Sequence, residues 1–496
     1  MRAFNLADLF EVVADACPER MALVAGEARL TYADLESRAN RVAHHLASIG
    51  VRAGDHVGIL SHNRAEWVES MIGCFKLRAA PVNLNYRYVA DELRHLLDDS
   101  GCVALIGEPD LLDRIHDTRL PTLRIGEEYE KALAAASPVR DFAERSGDDP
   151  YLLYTGGTTG LPKGVLWRCE DIFFAAMGGG NFGGPPIAEP EDLAAAADRE
   201  PLRTQVHAPL MHGGGQWITW ITLTTGGTVI LWTGRSFDAR RTLELAVRER
   251  TQILMLVGNG MALPIAEELS ARPYDLEVFA FGSGGAPLSS DVRERLLAAR
   301  PGAYVSDNLG GSETGAMGPS AGDGRFTLGP EFAVLGPFLM PAREGVVART
   351  GHIPLCYLND PVKTAETFVT GPDGRRWVLQ GDHAIQHEDG SITLLGRGSL
   401  VINSGGEKVY AEEVETVLRG HPAVAEAVVV GIPDARLGAK VAAVLQLHEP
   451  VADTDLMAYC RDHIASYKIP CAFHFTETIH RTPVGKPDYS WARTLF

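Results

Sequence analysis

The sequence has few cysteines, and no two of them lie close together. Seven are spread over 496 residues, at positions 17, 74, 102, 169, 356, 460 and 471. An odd, scattered set without a C-x-x-C pair argues against both a disulfide framework and a zinc site. We therefore expect a protein of a reducing compartment.

A long hydrophobic run is also missing. No apolar stretch reaches the roughly 18 residues that a membrane span requires. Residues 1–20 have the pattern of an amphipathic helix that carries acidic side chains, which differs from the charged-then-apolar order of a secretory signal. We expect no integral membrane segment and a cytoplasmic location.

Basic blocks are absent as well. The net charge is -18, and no Lys/Arg-rich stretch interrupts the acidic background. Such a surface repels a phosphate backbone, so we expect no nucleic-acid partner. A homodimer is compatible with this composition.

The glycine-rich stretch "LLYTGGTTGLPKGVL" (152–166) lacks the spacing of a Walker A loop. That motif needs Gly-Lys-Ser/Thr, whereas Lys163 follows Pro162 and precedes Gly164. Consecutive glycines still let backbone N–H groups approach oxygen atoms, threonine hydroxyls add donors, and Lys163 adds a compact positive charge. The pattern favours a polyphosphate, with a flexible surface turn as the alternative.

What is present is an ordinary globular composition, with 45% hydrophobic and 22% charged residues. Helical patterns alternate with short apolar runs, and "TYADLESRANRVAHHLASIG" opens on a Thr31 cap and stops at Gly50. The strand-like runs "TQILMLVGN", "EVFAFGSGG" and "AYVSDNLGG" each lead into a glycine-rich turn, as happens where ligands meet an α/β sheet. We predict a large α/β body over residues 1–396.

A second domain is predicted over residues 397–496. After "LLGRGS" the pattern changes to a compact set: strand "LVINSGGEKVY", helix "AEEVETVLRG", strands "AEAVVVGIP" and "KVAAVLQL", helix "DLMAYCRDHIA" and strand "CAFHFTE". Residues 187–203, "IAEPEDLAAAADREPLR", have the composition of a surface insertion.

The stretch "YTGGTTGLPKGV" resembles the phosphate-loop signature of the adenylate-forming (ANL) superfamily, which includes acyl-CoA and aryl-CoA synthetases, luciferases and peptide-synthetase adenylation domains. The resemblance implies α/β architecture, with layered sheets and helices in the large N-terminal body and a smaller mobile α+β C-terminal domain. It also implies ATP, Mg²⁺ and coenzyme A as ligands. The phosphate-binding residues would be Thr155, Gly156, Gly157, Thr158, Thr159, Gly160 and Lys163, with Thr159 also near the metal.

Two further motifs follow in the family's order. "FGSGGAPLS" (281–289) resembles the segment in which Gly284, Gly285 and Ala286 line the adenine and acyl pockets; a bare strand-to-helix turn is the alternative. "DNLGGSETG" (307–315) resembles the aromatic-Gly-x-Thr-Glu motif. Its implied nucleotide contacts are Asp307, Asn308, Leu309, Gly310 and Ser312, and Glu313 would hold Mg²⁺. Leu309 replaces the usual aromatic ring against adenine.

The remaining motifs lie towards the carboxyl end. "QGDHA" (380–384) resembles the motif whose Asp accepts hydrogen bonds from ribose hydroxyls, here Asp382; an ordinary turn Asp is the alternative. Arg397 would lie on the ribose and phosphate side. Ser404, Gly405 and Gly406 would face a pantetheine channel. "RTPVGKPDY" (481–489) resembles the terminal motif that carries the catalytic lysine, here Lys486, although a lone lysine is ordinarily a solvated surface charge.

The segment "HAPLMHGGGQWITW" (207–220) resembles the wall of the acyl site, with His212 beside the substrate carboxylate; a structural histidine is the alternative. The glycines at 213–215 and in "MGGGNFGG" (177–184) would leave room for a bulky acid. "GVLWR", "GGSETG" and "GKPDYSWA" resemble actinobacterial acyl-CoA ligases for fatty acids and sterol side-chain acids. The expected partners are therefore a small-molecule carboxylic acid, ATP and CoA.

The predicted reaction is ATP-dependent acyl-CoA ligation, in which an acid and ATP give acyl-AMP and pyrophosphate, and CoA then gives acyl-CoA and AMP. The enzyme alternatives are an acyl-AMP ligase that passes its adenylate to a carrier protein and a CoA ligase for short or aryl acids. A nucleotide-binding regulator on the same fold is the non-enzyme alternative.

Overall fold

The computed structural model describes residues 2–115, 118–155, 162–181, 183–286, 288–320, 325–397, 401–480 and 487–496, without the side chains of 395–397 and 412. Within these ranges the α-helices are α1 (Leu6–Ala16), α2 (Tyr32–Ser48), α3 (Ala65–Lys76), α4 (Ala90–Ser100), α5 (Pro109–Leu112), α6 (Glu127–Ala135), α7 (Cys169–Ala176), α8 (Gly213–Thr224), α9 (Ala239–Arg248), α10 (Gly258–Ala271), α11 (Ser290–Ala299), α12 (Pro361–Thr367), α13 (Ala411–Arg419), α14 (Asp453–His463) and α15 (Tyr489–Arg493).

Most of the strands belong to the part of the chain before residue 398. They are β1 (Met21–Ala25), β2 (Ala28–Thr31), β3 (His56–Leu60), β4 (Ala80–Asn83), β5 (Cys102–Gly107), β6 (Thr122–Arg124), β7 (Pro150–Thr155), β8 (Lys163–Arg168), β9 (Arg203–Val206), β10 (Thr228–Leu231), β11 (Ile253–Leu256), β12 (Ala280–Gly284), β13 (Tyr304–Gly311), β14 (Gly315–Pro319), β15 (Arg325–Thr327), β16 (Phe332–Leu335), β17 (Glu344–Arg349), β18 (Cys356–Tyr357), β19 (Phe368–Thr370), β20 (Arg376–Gln386) and β21 (Ser391–Arg397). The later strands are β22 (Val401–Ser404), β23 (Glu407–Tyr410), β24 (Val424–Asp434), β25 (Gly438–Leu447) and β26 (Ala472–Thr476).

The large body combines parallel and antiparallel sheets. The largest has the strand order β14-β13-β12-β11-β9-β10-β1-β2, parallel in its centre and antiparallel at both edges. A parallel sheet (β4-β3-β5-β6) and two antiparallel sheets (β18-β8-β7, and β15-β21-β20-β17-β16 with β19 beside β20) complete it. This combination of helices and mixed sheets confirms the predicted α/β architecture. Helices accompany the parallel strands because parallel sheets have two apolar faces that must be covered.

Local sequence signals account for several helix starts. The Thr31 hydroxyl accepts a hydrogen bond from the Asp34 backbone N–H, and the Asp34 carboxylate accepts one from the Thr31 backbone N–H. These two bonds make the capping box that begins α2. Helix α1 is buried on nearly all sides, including Asp8 and Glu11, whose carboxylates pair with Arg145. Among the described residues, no helix combines the length and apolar character that crossing a membrane requires.

Residues 187–203, predicted as a surface insertion, are mostly exposed, but one side of the segment is buried. A 3₁₀ helix spans Pro190–Asp198, and its Leu193 and Ala196 side chains lie in the main hydrophobic core. The Arg20 guanidinium donates to the carbonyl oxygens of Ala196 and Ala197, at 2.9 and 3.0 Å. Alanine-rich and charged composition suggested exposure, but tertiary packing decides which face of this segment is buried.

Residues from 401 onwards form a separate five-stranded sheet, β23-β22-β25-β24 with β26 beside β25. One face packs on α13 and α14 around Val429, Ala443 and Leu456, and the other packs on α15 around Val430 and Ala492. The predicted single strand "LVINSGGEKVY" is instead two strands, because Gly405 and Gly406 adopt positive φ values of 60° and 92° and turn the chain.

Candidate active site

The two segments expected around adenine lie side by side at the carboxyl ends of parallel strands. In the register of β12 and β13, Ser283 is opposite Asp307 and Gly284 is opposite Asn308. The Asn308 amide donates to the Ser283 carbonyl oxygen, at 3.2 Å. Gly285 follows with a φ of 79°, and no atom lies within 4 Å of where its Cβ would be. The strand ends therefore leave open backbone beside two polar side chains, as at other ligand sites of α/β sheets.

Asp307 is the titratable group at this edge. Burial raises the pKa of its carboxyl to about 6, with a smaller opposing effect from a backbone hydrogen bond at Leu288. A carboxyl at this position changes its charge near neutral pH. Leu309, the next residue but one, packs in a small apolar cluster with Met317 and Val334.

Glu313 lies in the turn between β13 and β14, and its side chain is buried. The Tyr357 hydroxyl donates to one carboxylate oxygen at 3.0 Å, and the Gln380 amide donates to the other at 2.7 Å. The Trp167 indole N–H donates to the neighbouring Ser312 carbonyl oxygen at 3.0 Å, which ties this turn to β8. The carboxylate expected to bind metal is therefore held by two neutral donors.

Lys163 begins β8, opposite Thr155 at the end of β7. Its ammonium pairs with the Asp360 carboxylate at 2.6 Å and lies 5.7 Å from the centre of the Tyr357 ring. The structure thus brings Lys163, at one end of the predicted phosphate loop, close to the tyrosine that contacts Glu313. Gly156, Gly157, Thr158, Thr159 and Gly160 lie outside the described residues.

The predicted ribose residues lie on neighbouring strands. Asp382 on β20 is opposite Arg397 on β21 in the antiparallel register, and the Arg397 side chain is outside the description. Asp382 is partly exposed and follows Gly381, whose φ is 87°. Gln380, two residues earlier, is the donor to Glu313. Strand β20 therefore connects the predicted ribose and metal residues.

His212 precedes α8, and its Nε2 lies 3.2 Å from Oε1 of Glu407. The turn of Ser404, Gly405 and Gly406 leads directly into Glu407 at the start of β23. A Cβ on Gly406 would lie 2.6 Å from a Val257 methyl group and 4.0 Å from the Ala286 side chain. The structure therefore brings the predicted acyl, adenine and CoA segments together at one place.

Glu407 was not among the predicted site residues. Burial alone would raise the pKa of its carboxyl, but His212 and then Arg87 outweigh that effect and lower it below the usual range. The Arg87 guanidinium lies 3.2 Å from the same oxygen that faces His212. Sequence alone gave no signal for this group, because its partners are far away along the chain.

Lys486 lies outside the described residues, but the chain on either side of its segment is described. The Asp488 backbone donates to the His480 carbonyl oxygen at 2.9 Å, so the two ends of the segment meet. Asp488 also caps α15, which packs against β24 through Ala492. The position of the lysine stays a prediction.

The glycines proposed to make room for the acid have different surroundings. A Cβ on Gly213 would lie 2.7 Å from Trp217, and one on Gly215 would lie 2.4 Å from the Pro209 carbonyl oxygen. A Cβ on Gly180 would lie 2.6 Å from the buried side chain of Leu193. Packing therefore accounts for these three, and Gly214 alone of the triplet faces open space.

The strand ends at Gly284 and Asn308, Lys163 and the buried Glu313 lie in the motifs by which the sequence resembles the class of adenylate-forming proteins. The chain belongs to the AMP-binding enzyme family, whose profile matches residues 10–335, and the AMP-binding enzyme C-terminal domain matches residues 413–486. These matches cover most of the chain and confirm the family resemblance that the motifs suggested.

Full-length relatives and solved structures agree with this assignment. The chain is 42% identical to a medium/long-chain-fatty-acid–CoA/3-oxocholest-4-en-26-oate–CoA ligase of Mycobacterium tuberculosis, over 99% of this chain and 96% of the relative. It is also 42% identical to 3-oxocholest-4-en-26-oate–CoA ligase of Rhodococcus rhodochrous, with the same coverage. The fold is similar to o-succinylbenzoate CoA synthetase of Bacillus subtilis, with a TM-score of 0.85, 27% identity and 97% of each chain covered. The amide bond synthetase McbA of Marinactinospora thermotolerans gives a TM-score of 0.84 at 25% identity, covering 98% of this chain and 99% of that one.

Proposed function

We propose that the chain is an ATP-dependent acyl-CoA ligase whose acid is a long-chain fatty acid or a bulky sterol side-chain acid. One observation carries the proposal: His212 contacts Glu407, at the end of the turn that begins at Ser404, and this turn lies beside Ala286. A site that joins an acyl wall, a nucleotide edge and a segment for CoA suits a carboxylic acid whose oxygen first bonds to phosphorus and whose carbon then bonds to a thiol.

The first half-reaction forms a bond between a carboxylate oxygen and the α-phosphorus of ATP and releases pyrophosphate. An attacking carboxylate needs no general base, so catalysis depends on position and on charge stabilisation. Asp307 and Asn308 would contact adenine, Asp382 the ribose and Lys163 the departing phosphates. Lys486 would stabilise the charge that develops between the carboxylate and the α-phosphate.

The residues present suit magnesium. Within the described ranges, no group of three or more His, Cys, Asp and Glu could hold a metal by itself. Mg²⁺ commonly binds through one or two carboxylates together with substrate phosphates and water, which matches the single buried Glu313 carboxylate. When bound, Mg²⁺ would neutralise charge on the phosphates. Glu313 would provide its protein ligand, with the hydroxyl of Thr159 as a further proposed contact.

The second half-reaction transfers the acyl group from AMP to the thiol of CoA. We assign the pantetheine path to Ser404, Gly405 and Gly406, because Gly406 lets the backbone of this turn approach Val257 closely, beside Ala286. We further propose that the domain after residue 396 rotates, so that Lys486 serves adenylation and this glycine turn serves thioester formation.

The acid class rests on the relatives at 42% identity, whose names include medium- and long-chain fatty acids and a steroid acid. The open space beside Gly214 is compatible with a large acyl group, whereas the neighbouring glycines are occupied by packing. We place the protein in the cytoplasm because all seven of its cysteines are free thiols, as is usual in a reducing compartment.

A pyrophosphate-release assay over short, medium and long fatty acids, sterol side-chain acids and aryl acids tests the proposal. We expect release with long or sterol acids, AMP release that depends on CoA, and loss of both in Glu313→Gln. Glu331→Gln is the matched control, because its half-exposed carboxylate makes only a 3.5 Å contact with Arg349.

The same assay separates the alternatives. An acyl-AMP ligase would release pyrophosphate but no AMP on addition of CoA. Activity confined to short or aryl acids would reject the bulky substrate, and the absence of pyrophosphate with every acid would favour a nucleotide-binding regulator.

A further inference from the structure

A short segment, Cys356–Asp360, runs beside the strand that carries Lys163. Its β18 residues pair with β8, with Cys356 opposite Leu166 and Tyr357 opposite Val165. The Leu358 backbone then donates to the Gly164 carbonyl oxygen at 2.8 Å. The segment is therefore fixed to β8 by backbone bonds up to the residue next to Lys163.

Tyr357 contacts both of the charged groups assigned to ATP. Its hydroxyl donates to Oε1 of Glu313 at 3.0 Å, and its ring lies 5.7 Å from the Lys163 ammonium, within cation–π range. Burial, and after it the Glu313 charge, raises the pKa of the Tyr357 phenol. The phenol stays protonated and can act only as the donor towards a carboxylate.

Asp360 uses its two oxygens for two tasks. Oδ2 pairs with the Lys163 ammonium at 2.6 Å, and Oδ1 accepts from the Lys363 backbone at 2.9 Å, which caps α12. Burial would raise the pKa of this carboxyl, but the hydrogen bond from Lys163 lowers it below the usual range. The Asp360 carboxylate is therefore negatively charged at neutral pH.

Opposite charges near one another tend to pair directly, and a direct Lys163–Glu313 pair would occupy both groups that ATP requires. Asp360 gives the lysine a different anionic partner. Tyr357 gives the glutamate a neutral donor, which leaves the carboxylate its negative charge for a cation. One segment of the chain thus holds both groups ready before the ligand arrives.

We infer that Tyr357 and Asp360 are positioning residues for the adenylation half-reaction, in which Tyr357 orients the metal-binding carboxylate of Glu313 and Asp360 orients the phosphate-binding ammonium of Lys163. This inference rests on the proposed function of those two partners. Neither Tyr357 nor Asp360 needs to touch the reacting atoms.

Tyr357→Phe tests the first role, since it removes the hydroxyl and keeps the ring over Lys163. We expect the Mg²⁺ concentration for half-maximal acid-dependent ATP–pyrophosphate exchange to rise about tenfold, as for other partners of metal ligands. Thioester formation from a synthetic acyl-adenylate should stay within about twofold of wild type. Tyr129→Phe is the matched control, because its buried hydroxyl donates to the buried Glu69 carboxylate at 2.8 Å, in a different cluster.

Asp360→Asn tests the second role, since Asn still caps a helix but carries no charge. We expect the KM for ATP in the exchange reaction to rise about tenfold, with the Mg²⁺ requirement at saturating ATP unchanged. Asp238→Asn is the control, because Asp238 likewise caps α9 through the Arg241 backbone. Melting temperatures of all four variants show whether each has folded.

Binding of Mn²⁺ in the presence of a non-hydrolysable ATP analogue, followed by electron paramagnetic resonance, provides a readout apart from activity. We expect weaker Mn²⁺ binding in Tyr357→Phe than in Tyr129→Phe.

Equal Mn²⁺ binding and equal Mg²⁺ requirements in these two variants would overturn the role of Tyr357. An unchanged KM for ATP in Asp360→Asn would overturn that of Asp360, and equal loss of both half-reactions would overturn both. If the wild type gives no exchange with any acid, the proposed function fails, and Mn²⁺ and ATP-analogue binding then decide the two positioning roles alone.

Discussion

The Glu407 carboxylate lies 3.2 Å from the imidazole of His212, although 195 residues of sequence separate them. Glu407 belongs to the sheet built after residue 400, whereas His212 belongs to the large body. The contact closes the glycine turn Ser404–Gly406 over the strand end at Ala286. This arrangement suits the second half-reaction, in which the thiol of CoA must reach the acyl carbon.

Glu407→Gln should therefore slow thioester formation from a synthetic acyl-adenylate about tenfold while acid-dependent exchange stays within about twofold. The reason is that a neutral amide loses the ion pair with Arg87 and changes the hydrogen bond with His212. Rapid-quench measurement of each half-reaction checks it, with Glu244→Gln as a control for an exposed helical pair. An equal decline of both half-reactions would contradict a role confined to this arrangement.

The raised pKa of Asp307, about 6, predicts a pH effect on ATP binding. As the pH rises through 6 the carboxyl loses its proton and becomes a stronger acceptor for the adenine amino group, so the wild-type KM for ATP should fall about three- to tenfold. Asp307→Asn cannot titrate, and its KM should stay level between pH 5 and 7.5. Asp389→Asn, in an exposed turn, should behave as wild type. A KM profile in Asp307→Asn that still bends near pH 6 would assign the titration to another group.

Local patterns predicted those parts of the fold that local interactions decide. The Thr31 cap is set by neighbours three residues apart, and the strands ending at Gly284 and Gly311 are set by short apolar runs. The burial of Leu193 within the mostly exposed segment 187–203 was not predicted, because the apolar groups that cover it come from distant segments. Family motifs indicated Glu313 because a motif consists of residues near one another in sequence. They missed its partner Tyr357 because this hydrogen bond joins residues 44 positions apart.

Lys468 faces two buried carboxylates, Glu92 and Glu413, each at 2.5 Å. One ammonium cannot neutralise both, and burial raises the pKa of Glu413 to about 7 despite the attraction of Lys468. The folded state then binds more protons than the unfolded state between about pH 4.5 and 7, so the free energy of unfolding falls as the pH rises through that range, by about 1–3 kcal/mol.

Glu413→Gln should remove most of this fall. Its melting temperature should match that of wild type near pH 5 and exceed it at pH 8, as measured by calorimetry at both values. Glu426→Gln is the comparison variant, because the Glu426 carboxylate pairs with Arg419 at 3.4 Å. If the wild type instead became more stable than Glu413→Gln between pH 5 and 8, the predicted direction of the pH dependence would be wrong.

Lys486→Ala should reduce acid-dependent exchange by more than about a hundredfold, because a positive charge aimed at developing phosphoryl charge is worth several kcal/mol. Thioester formation from a synthetic acyl-adenylate should remain within about twofold of wild type. Lys440→Ala is the control, since the Lys440 side chain is 44% exposed and pairs with Asp434 within the same sheet. Parallel loss of both half-reactions would reject the assignment of Lys486 to adenylation alone.

The glycine triplet at the start of α8 offers a test of the acid's path. Gly214 faces open space, and its φ lies outside the left-handed region, so a Cβ there meets neither an atom within 4 Å nor backbone strain. Gly214→Val should leave the melting temperature near that of wild type, since the new methyl groups enter solvent or substrate space. If the acyl chain passes this point, kcat/KM for a sterol side-chain acid should fall about tenfold or more while that for a short fatty acid changes little, because overpacking against a ligand costs about 1–3 kcal/mol.

Gly215→Ala is the contrasting variant, because its Cβ would lie 2.4 Å from the Pro209 carbonyl oxygen. This variant should have a lower melting temperature without selecting between acids. Equal loss for short and bulky acids in Gly214→Val would place the acyl chain elsewhere.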